Sequence, residues 1–348
     1  MDGIITAGFY LIVMVFVFGI LIFIHELGHF FTARKCGVEI KEFAIGMGPT
    51  LFSWKSKKYD TKYAIRALPI GGFVSMLGED EASDDERAFC NKKVWQRMLI
   101  TAAGPLMNLI LGFILMLSVV LIQGPIGSTT VAEFDTDAFS KQTLQIGDEI
   151  IKVDGTRVKS GNEVMYEIMN QGYEPIDILV KRNGEEILLK NVVFPTFEED
   201  GVVFGDMDFK VFPQERTFFN IMSQTFTRSI STVKMVIDSL VGLFNGRFGF
   251  DAMSGPIGVA EVVGEAAKTS TLNFLYIVTV LTVNLGVFNL VPFPALDGGR
   301  FLFLIVEGIR RKPIDKNVEA YINFAGIVIL FGLMIFISFK DILKLIFR

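Results

Sequence analysis

Two histidines and the glutamate beside the first of them form the most chemically suggestive pattern in this sequence. His25 and His29 are the only two histidines among 348 residues, and Glu26 stands between them. On a helix, residues four apart lie on one face, so both imidazoles can bind one zinc ion. A carboxylate next to them can take a proton from water as the water attacks a carbonyl, and can return it to the leaving amine. The pattern therefore predicts zinc-dependent peptide hydrolysis.

A zinc ion in a catalytic site usually has three protein ligands and one open position. The sequence has no third histidine, and Cys36 and Cys90 are its only cysteines, so a carboxylate is the expected third ligand. Asp297 is the candidate, because it directly follows a long charge-free stretch, where a carboxylate is costly unless it is paired, solvated or metal-bound. By position alone, Asp297 could equally cap the helix that starts after Gly298. Because the predicted zinc site lacks a third ligand, metal binding is the favoured role of Asp297.

Two prolines just before Asp297 predict a break in the preceding helix. Pro292 and Pro294 cannot continue a helix, and such breaks are tolerated at membrane depth only where they are buried or line a wet cavity. That cavity is where hydrolysis could occur. Asn284 and Asn289 lie in the same apolar stretch, where they could hold the substrate backbone or form hydrogen bonds between helices.

Four charge-free stretches are long enough to cross a bilayer core, which takes roughly 20 residues. They are residues 4–24, 98–122, 272–296 and 320–339. Soluble core helices seldom run so long without a charge, and 51% of the residues are hydrophobic, so we predict about four transmembrane helices. The net charge of −5 argues against a nucleic-acid partner, which needs a basic surface.

Lysine and arginine placement predicts the orientation. These residues are densest between the first two spans and in the short turn between the last two, which predicts that both connections are cytoplasmic. The long middle segment then lies outside the cytoplasm. In this orientation Lys340, Lys344 and Arg348 would also lie outside the cytoplasm, which is evidence against it.

The middle segment predicts a small inserted domain with strands and a helix. Residues 131–134 and 176–180 have strand patterns, Asn183 and Gly184 mark a hairpin turn, and residues 160–169 fit a short helix. Farther on, apolar residues recur at helical spacing between Phe218 and Leu240. They predict an amphipathic helix, which could lie on the membrane surface or face a protein core.

Together, these motifs resemble the site-2 protease family of intramembrane zinc metalloproteases, in its bacterial PDZ-containing branch for regulated intramembrane proteolysis. The segment 25–29 is similar to the family's HExxH motif, and 289–299 is similar to its NxxPxPxLDGG motif. Residues 104–108 are similar to its GPxxN element, and 65–78 to its membrane-re-entrant β-hairpin. Residues 144–155 resemble the GDxIxxxxG segment of a bacterial PDZ domain.

The resemblance implies a polytopic α-helical membrane protein with a membrane-associated β-hairpin and one inserted PDZ-like α+β domain. The implied segments are a catalytic core in two parts (1–126 and 272–348), the PDZ-like domain (127–196) and an amphipathic segment (197–271). It implies the zinc ligands His25, His29 and Asp297, with Glu26 as general base and acid. The implied substrate-binding residues are Asn284, Asn289, Pro294, Gly71, Gly72, Phe73 and Asn108.

The implied activity is cleavage within or next to transmembrane segments of single-pass proteins, such as anti-sigma factors or signal-peptide remnants. The implied substrate has already been cut on its extracytoplasmic side. The implied location is the bacterial plasma membrane, with the active site toward the cytoplasm and the PDZ-like domain outside as a steric gate. We expect the hairpin to pair with the unwound substrate by β-augmentation; the alternative is a plain cytoplasmic hairpin.

Two other functions compete with this interpretation. A non-catalytic scaffold would be expected to lack Glu26 or a ligand, and none is missing. A transporter with broken helices would need more intramembrane polar residues and a paired repeat, and we find neither in the sequence.

Overall fold

The computed structural model describes residues 2–79, 81, 83–199, 201–247, 249 and 253–346. The chain forms two compact units. The first combines both ends of the chain, Met1–Leu115 and Ser254–Arg348, and the second is the intervening Met116–Met253. The sequence predicts 127–196 for the inserted domain. The second unit extends beyond this range on both sides: it starts inside a helix and includes three further strands and a long helix.

The first unit is built mainly from helices. In chain order these are α1 (Asp2–Lys35), α2 (Val94–Ile122), α5 (Pro256–Thr269), α6 (Thr271–Leu290), α7 (Asp297–Arg310) and α8 (Lys316–Ile346). Four helical segments are long and apolar enough to cross a membrane: Gly8–Lys35, Val94–Ile122, Thr271–Leu290 and Lys316–Lys344. The described residues thus contain the four spans that the sequence predicts.

All four helices differ in their limits from the predicted charge-free stretches, and two of the differences concern the predicted site residues. Helix α1 continues well past Ile24 to Lys35, so both histidines lie inside the helix. Helix α6 ends at Leu290 rather than at residue 296, because Pro292 and Pro294 lack the N–H groups that a continuing helix needs. A short irregular turn therefore separates α6 from α7, and Asp297 begins the new helix.

A small sheet packs against α1. Its strands are β1 (Ile40–Lys55) and β2 (Lys62–Met76), and both fold back on themselves. Residues 40–45 pair with 72–76 on one side and with 62–65 on the other, and residues 50–55 pair with 62–66. Apolar side chains of the sheet, α1 and α2 form a common core, which includes Phe30, Phe43, Val74 and Ile100.

The second unit contains a six-stranded sheet in the order β10-β3-β4-β6-β7, with β5 paired to β4. The strands are β3 (Ile126–Phe134), β4 (Glu149–Val153), β5 (Thr156–Arg157), β6 (Ile176–Arg182), β7 (Glu185–Val192) and β10 (Phe209–Gln214). A separate pair consists of β8 (Thr196–Glu199) and β9 (Val202–Gly205), and the helices are α3 (Gly161–Gln171) and α4 (Phe218–Phe244).

The local signals in this unit explain its elements. Asn183 and Gly184 both have positive φ, as a two-residue hairpin turn between β6 and β7 requires. The hydroxyl of Ser160 accepts a hydrogen bond from the backbone N–H of Glu163 and so caps α3. The predicted strands, hairpin and short helix are thus confirmed, and α4 is the predicted amphipathic helix.

Candidate active site

Three potential metal ligands converge between α1 and α7. His25 Nε2 lies 3.0 Å from Asp297 Oδ2, and His29 Nε2 lies 3.3 Å from the same oxygen. The two Nε2 atoms are 3.2 Å apart. Helix α1 supplies both histidines on one face, and the break after α6 places Asp297 at the start of α7.

This triangle fits a zinc ion. Tetrahedral zinc with bonds of about 2.0–2.2 Å to nitrogen and oxygen separates neighbouring ligand atoms by roughly 3.3–3.6 Å. The three observed separations are slightly shorter than or equal to this edge. Both imidazoles are buried, and the buried Oδ2 of Asp297 faces their Nε2 atoms. Two imidazole nitrogens and one carboxylate oxygen are a donor set that zinc takes, and they leave the fourth position open.

Groups on α2 orient the two imidazoles. His29 Nδ1 lies 2.9 Å from the carbonyl oxygen of Ile100, and donation to that oxygen leaves the Nε2 lone pair free for a metal. His25 Nδ1 lies 3.3 Å from Nδ2 of the fully buried Asn108, whose Oδ1 has no partner among the described residues. A half-turn of this amide exchanges O and N. Oδ1 could then accept a hydrogen bond from His25 Nδ1, which frees Nε2 in the same way.

Small residues allow α2 to approach the histidines closely. A Cβ atom on Gly104 would lie 2.3 Å from His29 Nε2 and 2.8 Å from His25 Nε2. On α1, a Cβ atom on Gly28 would lie 2.3 Å from the carbonyl oxygen of Ala103. Because real Cβ atoms do not make such contacts, both positions require glycine in this packing.

Glu26 lies beside the metal-ligand triangle and against the edge of the sheet. A Cβ atom on Gly72 would sit 3.4 Å from Glu26 Cγ, and Val74 of the same strand lines a pocket together with Glu26. A pocket joins the histidines and Glu26 to the sheet and to α7. Its lining comprises His25, Glu26, His29, Phe73, Val74, Met76, Glu79, Phe89, Ile100, Thr101, Asn289, Ala295, Asp297 and Arg300.

The predicted substrate-binding residues divide into two groups. Phe73 and Asn289 line the pocket. The side-chain amide of Asn289 donates to the carbonyl oxygen of Leu285 over 2.9 Å, which leaves its oxygen free to accept a hydrogen bond. The other five residues are not among the lining residues of this pocket: they are Gly71, Gly72, Asn108, Asn284 and Pro294. Gly72 adjoins Glu26, whereas Asn108 is placed to orient His25.

Helix α8 holds the turn that precedes Asp297. Ala295 has a φ of +72°, which is unusual for a residue with a side chain. Its backbone N–H donates to Asn323 Oδ1 over 3.2 Å. A Cβ atom on Gly326 would lie 2.6 Å from the carbonyl oxygen of Pro294, so α8 packs directly on the turn. These contacts fix the backbone that carries Asp297.

Sequence reasoning missed two ion pairs that position α7. Arg300 forms an ion pair with the Glu79 carboxylate, and its Nη2 donates to the Glu79 carbonyl oxygen over 3.1 Å. Arg97 on α2 binds Glu307 through two hydrogen bonds. Arg300 lies one turn after Asp297, so the sequence shows a charged residue close to the site. No local pattern identifies Glu79 as its partner.

Comparison with known proteins shows the family of the chain. The sequence model of peptidase family M50 matches residues 13–333, which include all three candidate ligands. The regulator of sigma-W protease RasP of Bacillus subtilis (strain 168) is 29% identical over an alignment of 417 positions, gaps included, which covers 96% of this chain and 98% of the relative.

Two further relatives are zinc metalloproteases called RasP. The protein of Bacillus licheniformis is 30% identical, and that of Shouchella clausii is 31% identical; each comparison covers 96% of this chain and 99% of the relative. With its four apolar helices of membrane-spanning length, the chain belongs to peptidase family M50, the site-2 protease family, and is a multi-pass membrane zinc metalloprotease.

Proposed function

We propose that this metalloprotease cleaves peptide bonds within or next to transmembrane segments of single-pass membrane proteins. The observation that carries the proposal is the depth of the candidate site along α1. At 1.5 Å per residue, His25 lies roughly 15 Å along the helix from Lys35, which is about half the thickness of a bilayer core. A site at this depth is reached by peptide bonds that lie inside the membrane.

In this proposal, His25, His29 and Asp297 hold the zinc ion and Glu26 moves the protons. Bound zinc supplies Lewis acidity at the scissile carbonyl and lowers the pKa of water. The Glu26 carboxylate takes a proton from the attacking water and gives it to the nitrogen of the departing amine. Ile100 and Asn108 hold the imidazoles, and the turn packed under α8 holds Asp297.

The substrate helix must unwind locally before its carbonyls can react, because a helix engages them in its own hydrogen bonds. The segment 72–76 lies at an edge of the sheet, and its residue Gly72 adjoins Glu26. Among the described residues, this segment pairs only with residues 40–45. We infer that its other edge takes up the unwound substrate by β-augmentation. Gly71, which has a positive φ, starts this edge, and Asn289 contacts the substrate backbone from the opposite side of the pocket. Pro294 shapes the wall behind Asp297.

The sidedness and the substrate class also belong to the proposal. Basic residues favour the cytoplasmic side of a bacterial plasma membrane for the loop that carries the sheet and for the turn before α8, and the PDZ-like domain (127–196) then lies outside as a gate. The name of the Bacillus subtilis relative, regulator of sigma-W protease, supports anti-sigma factors as the substrate class. A first cut outside the cytoplasm is part of the proposal through the family resemblance alone.

The test is cleavage of a single-pass substrate in nanodiscs that contain the full-length enzyme, with the products identified by mass spectrometry. We expect cuts inside or at the border of the transmembrane segment, faster when a helix-breaking residue is placed there, and none after zinc removal. Cuts confined to soluble flanking segments would contradict the proposal.

Asn289 offers a sharper test of substrate contact, with Asn284 as its matched control. Asn289→Ala removes a pocket amide, so we expect kcat/KM to fall about tenfold, the cost of one hydrogen bond of roughly 1.4 kcal/mol. Asn284→Ala removes an amide outside the pocket and should change kcat/KM less than about threefold. Equal losses in both variants would show that Asn289 acts through packing rather than through the substrate.

A further inference from the structure

The two ends of the β1–β2 sheet have opposite chemistry. At one end, the loops around Met47 and Leu68 face each other, and the register pairs these two residues. Met47, Leu51 and Leu68 are 54%, 70% and 54% exposed, so this end presents a bare apolar surface. At the other end, the turn between Lys55 and Lys62 carries four lysines and one aspartate in eight residues.

The basic turn is attached to the end of a membrane span. Arg34, next to the last residue of α1, lies over the Tyr59 ring with its Cζ atom 4.0 Å from the ring centroid. Its Nη2 donates to Tyr63 Oη over 3.3 Å. Tyr63 in turn stacks on Trp54 with centroids 5.3 Å apart. Tryptophan and tyrosine favour the headgroup level of a bilayer, which is also where a span ends.

Two of the four lysines are available for a ligand. Lys55 pairs with Asp60 over 2.7 Å, and Lys62 pairs with Glu42 over 3.3 Å. Lys57 and Lys58 are exposed, and among the described residues no carboxylate pairs with either. Lys58 lies 5.1 Å from the Tyr59 ring centroid. The chain as a whole has a net charge of −5, so this local positive charge is not a general property of its surface.

We propose that the turn between Lys55 and Lys62 is a binding site for the headgroups of anionic phospholipids. The phosphate group is held by Lys57 and Lys58, the rings of Trp54 and Tyr59 lie at the headgroup level, and the apolar end of the sheet extends among the acyl chains. This contact fixes how deep the sheet sits beside α1. It does not depend on the substrate or on the proposed cleavage reaction.

Trp54 provides the probe. The chain has two tryptophans, so Trp95→Phe leaves Trp54 as the only donor for energy transfer. The full-length protein is placed in phosphatidylcholine vesicles with trace dansyl-phosphatidylglycerol or dansyl-phosphatidylcholine. We expect at least threefold stronger association with the anionic lipid, lost in 1 M salt, because each lysine near an anionic surface contributes roughly fivefold.

Charge-reversal variants show whether the preference for the anionic lipid depends on this turn or on the rest of the surface. Adding Lys57→Glu and Lys58→Glu should abolish the preference, and the neutral pair Lys57→Gln and Lys58→Gln should leave an intermediate one. Lys152→Glu with Lys190→Glu makes the same charge change at exposed positions of the second unit and should leave the preference intact. Equal transfer to both lipids in the parent, competition by millimolar free phosphate, or an unchanged preference in the Lys57 and Lys58 variants would overturn the proposal.

Discussion

Glu26→Gln is expected to lower the rate of peptide hydrolysis by about 10²–10⁴-fold, the usual contribution of a general acid–base group. Glutamine has nearly the same shape as glutamate but cannot take a proton from water at neutral pH. Glu26 lies beside the ligand triangle and is not one of its three members, so zinc content should stay near one ion per chain. The measurements are single-turnover cleavage of a transmembrane substrate and metal analysis of the same purified sample.

A matched substitution shows whether the loss belongs to this carboxylate. Glu86 is exposed and does not line the pocket, so Glu86→Gln makes the same chemical change and should leave the rate within about twofold. If Glu26→Gln retained the wild-type rate, the general-base assignment would fail. If it lost zinc together with activity, Glu26 would be a ligand or a support for one rather than the group that moves protons.

Side chains that carry a strong chemical or periodic signal could be predicted from the sequence. The spacing of His25 and His29 fixes their relative position on any helix. The need for a third ligand indicates Asp297 as the candidate, and its Oδ2 lies 3.0 and 3.3 Å from the two imidazole nitrogens. The charge-free stretches locate the four spans, but they measure only hydrophobicity. They therefore placed the end of the third span at residue 296, whereas the backbone stops at Leu290 because of the prolines that follow.

Contacts made by backbone atoms, or by residues with many possible partners, could not be predicted. The carbonyl oxygen of Ile100 that receives His29 has no sequence signature, since every residue has such an oxygen. The partner of Arg300 is Glu79, but an acidic segment offers several alternatives. The folded-back pairing of β1 with β2 depends on turns at Gly46 and Gly71, which both have positive φ, and a single sequence does not reveal which segments those turns join.

Gly104 is a position where sequence and structure together lead to a strong prediction. It belongs to the 104–108 motif, and its Cα faces the metal-ligand triangle. The extra methyl group of Gly104→Ala would lie 2.3 Å from His29 Nε2 and 2.8 Å from His25 Nε2, in the space where the ligand atoms converge. Either α2 must move away or an imidazole must rotate, and both responses break the ligand set.

We therefore expect Gly104→Ala to bind zinc at least about 100-fold more weakly, the upper range for disturbed support of metal ligands, and to lose peptidase activity in parallel. Gly332→Ala on α8 is the matched control, because among the described residues nothing outside its own stretch of helix lies within 4 Å of the added Cβ; it should keep full zinc content and activity. Misfolding would also remove zinc, so the melting temperature decides between the two causes. A folded Gly104→Ala protein should melt like zinc-stripped wild type, and zinc addition should stabilise wild type but not the variant. Full zinc occupancy and activity in Gly104→Ala would show that the ligand triangle is not where the metal binds.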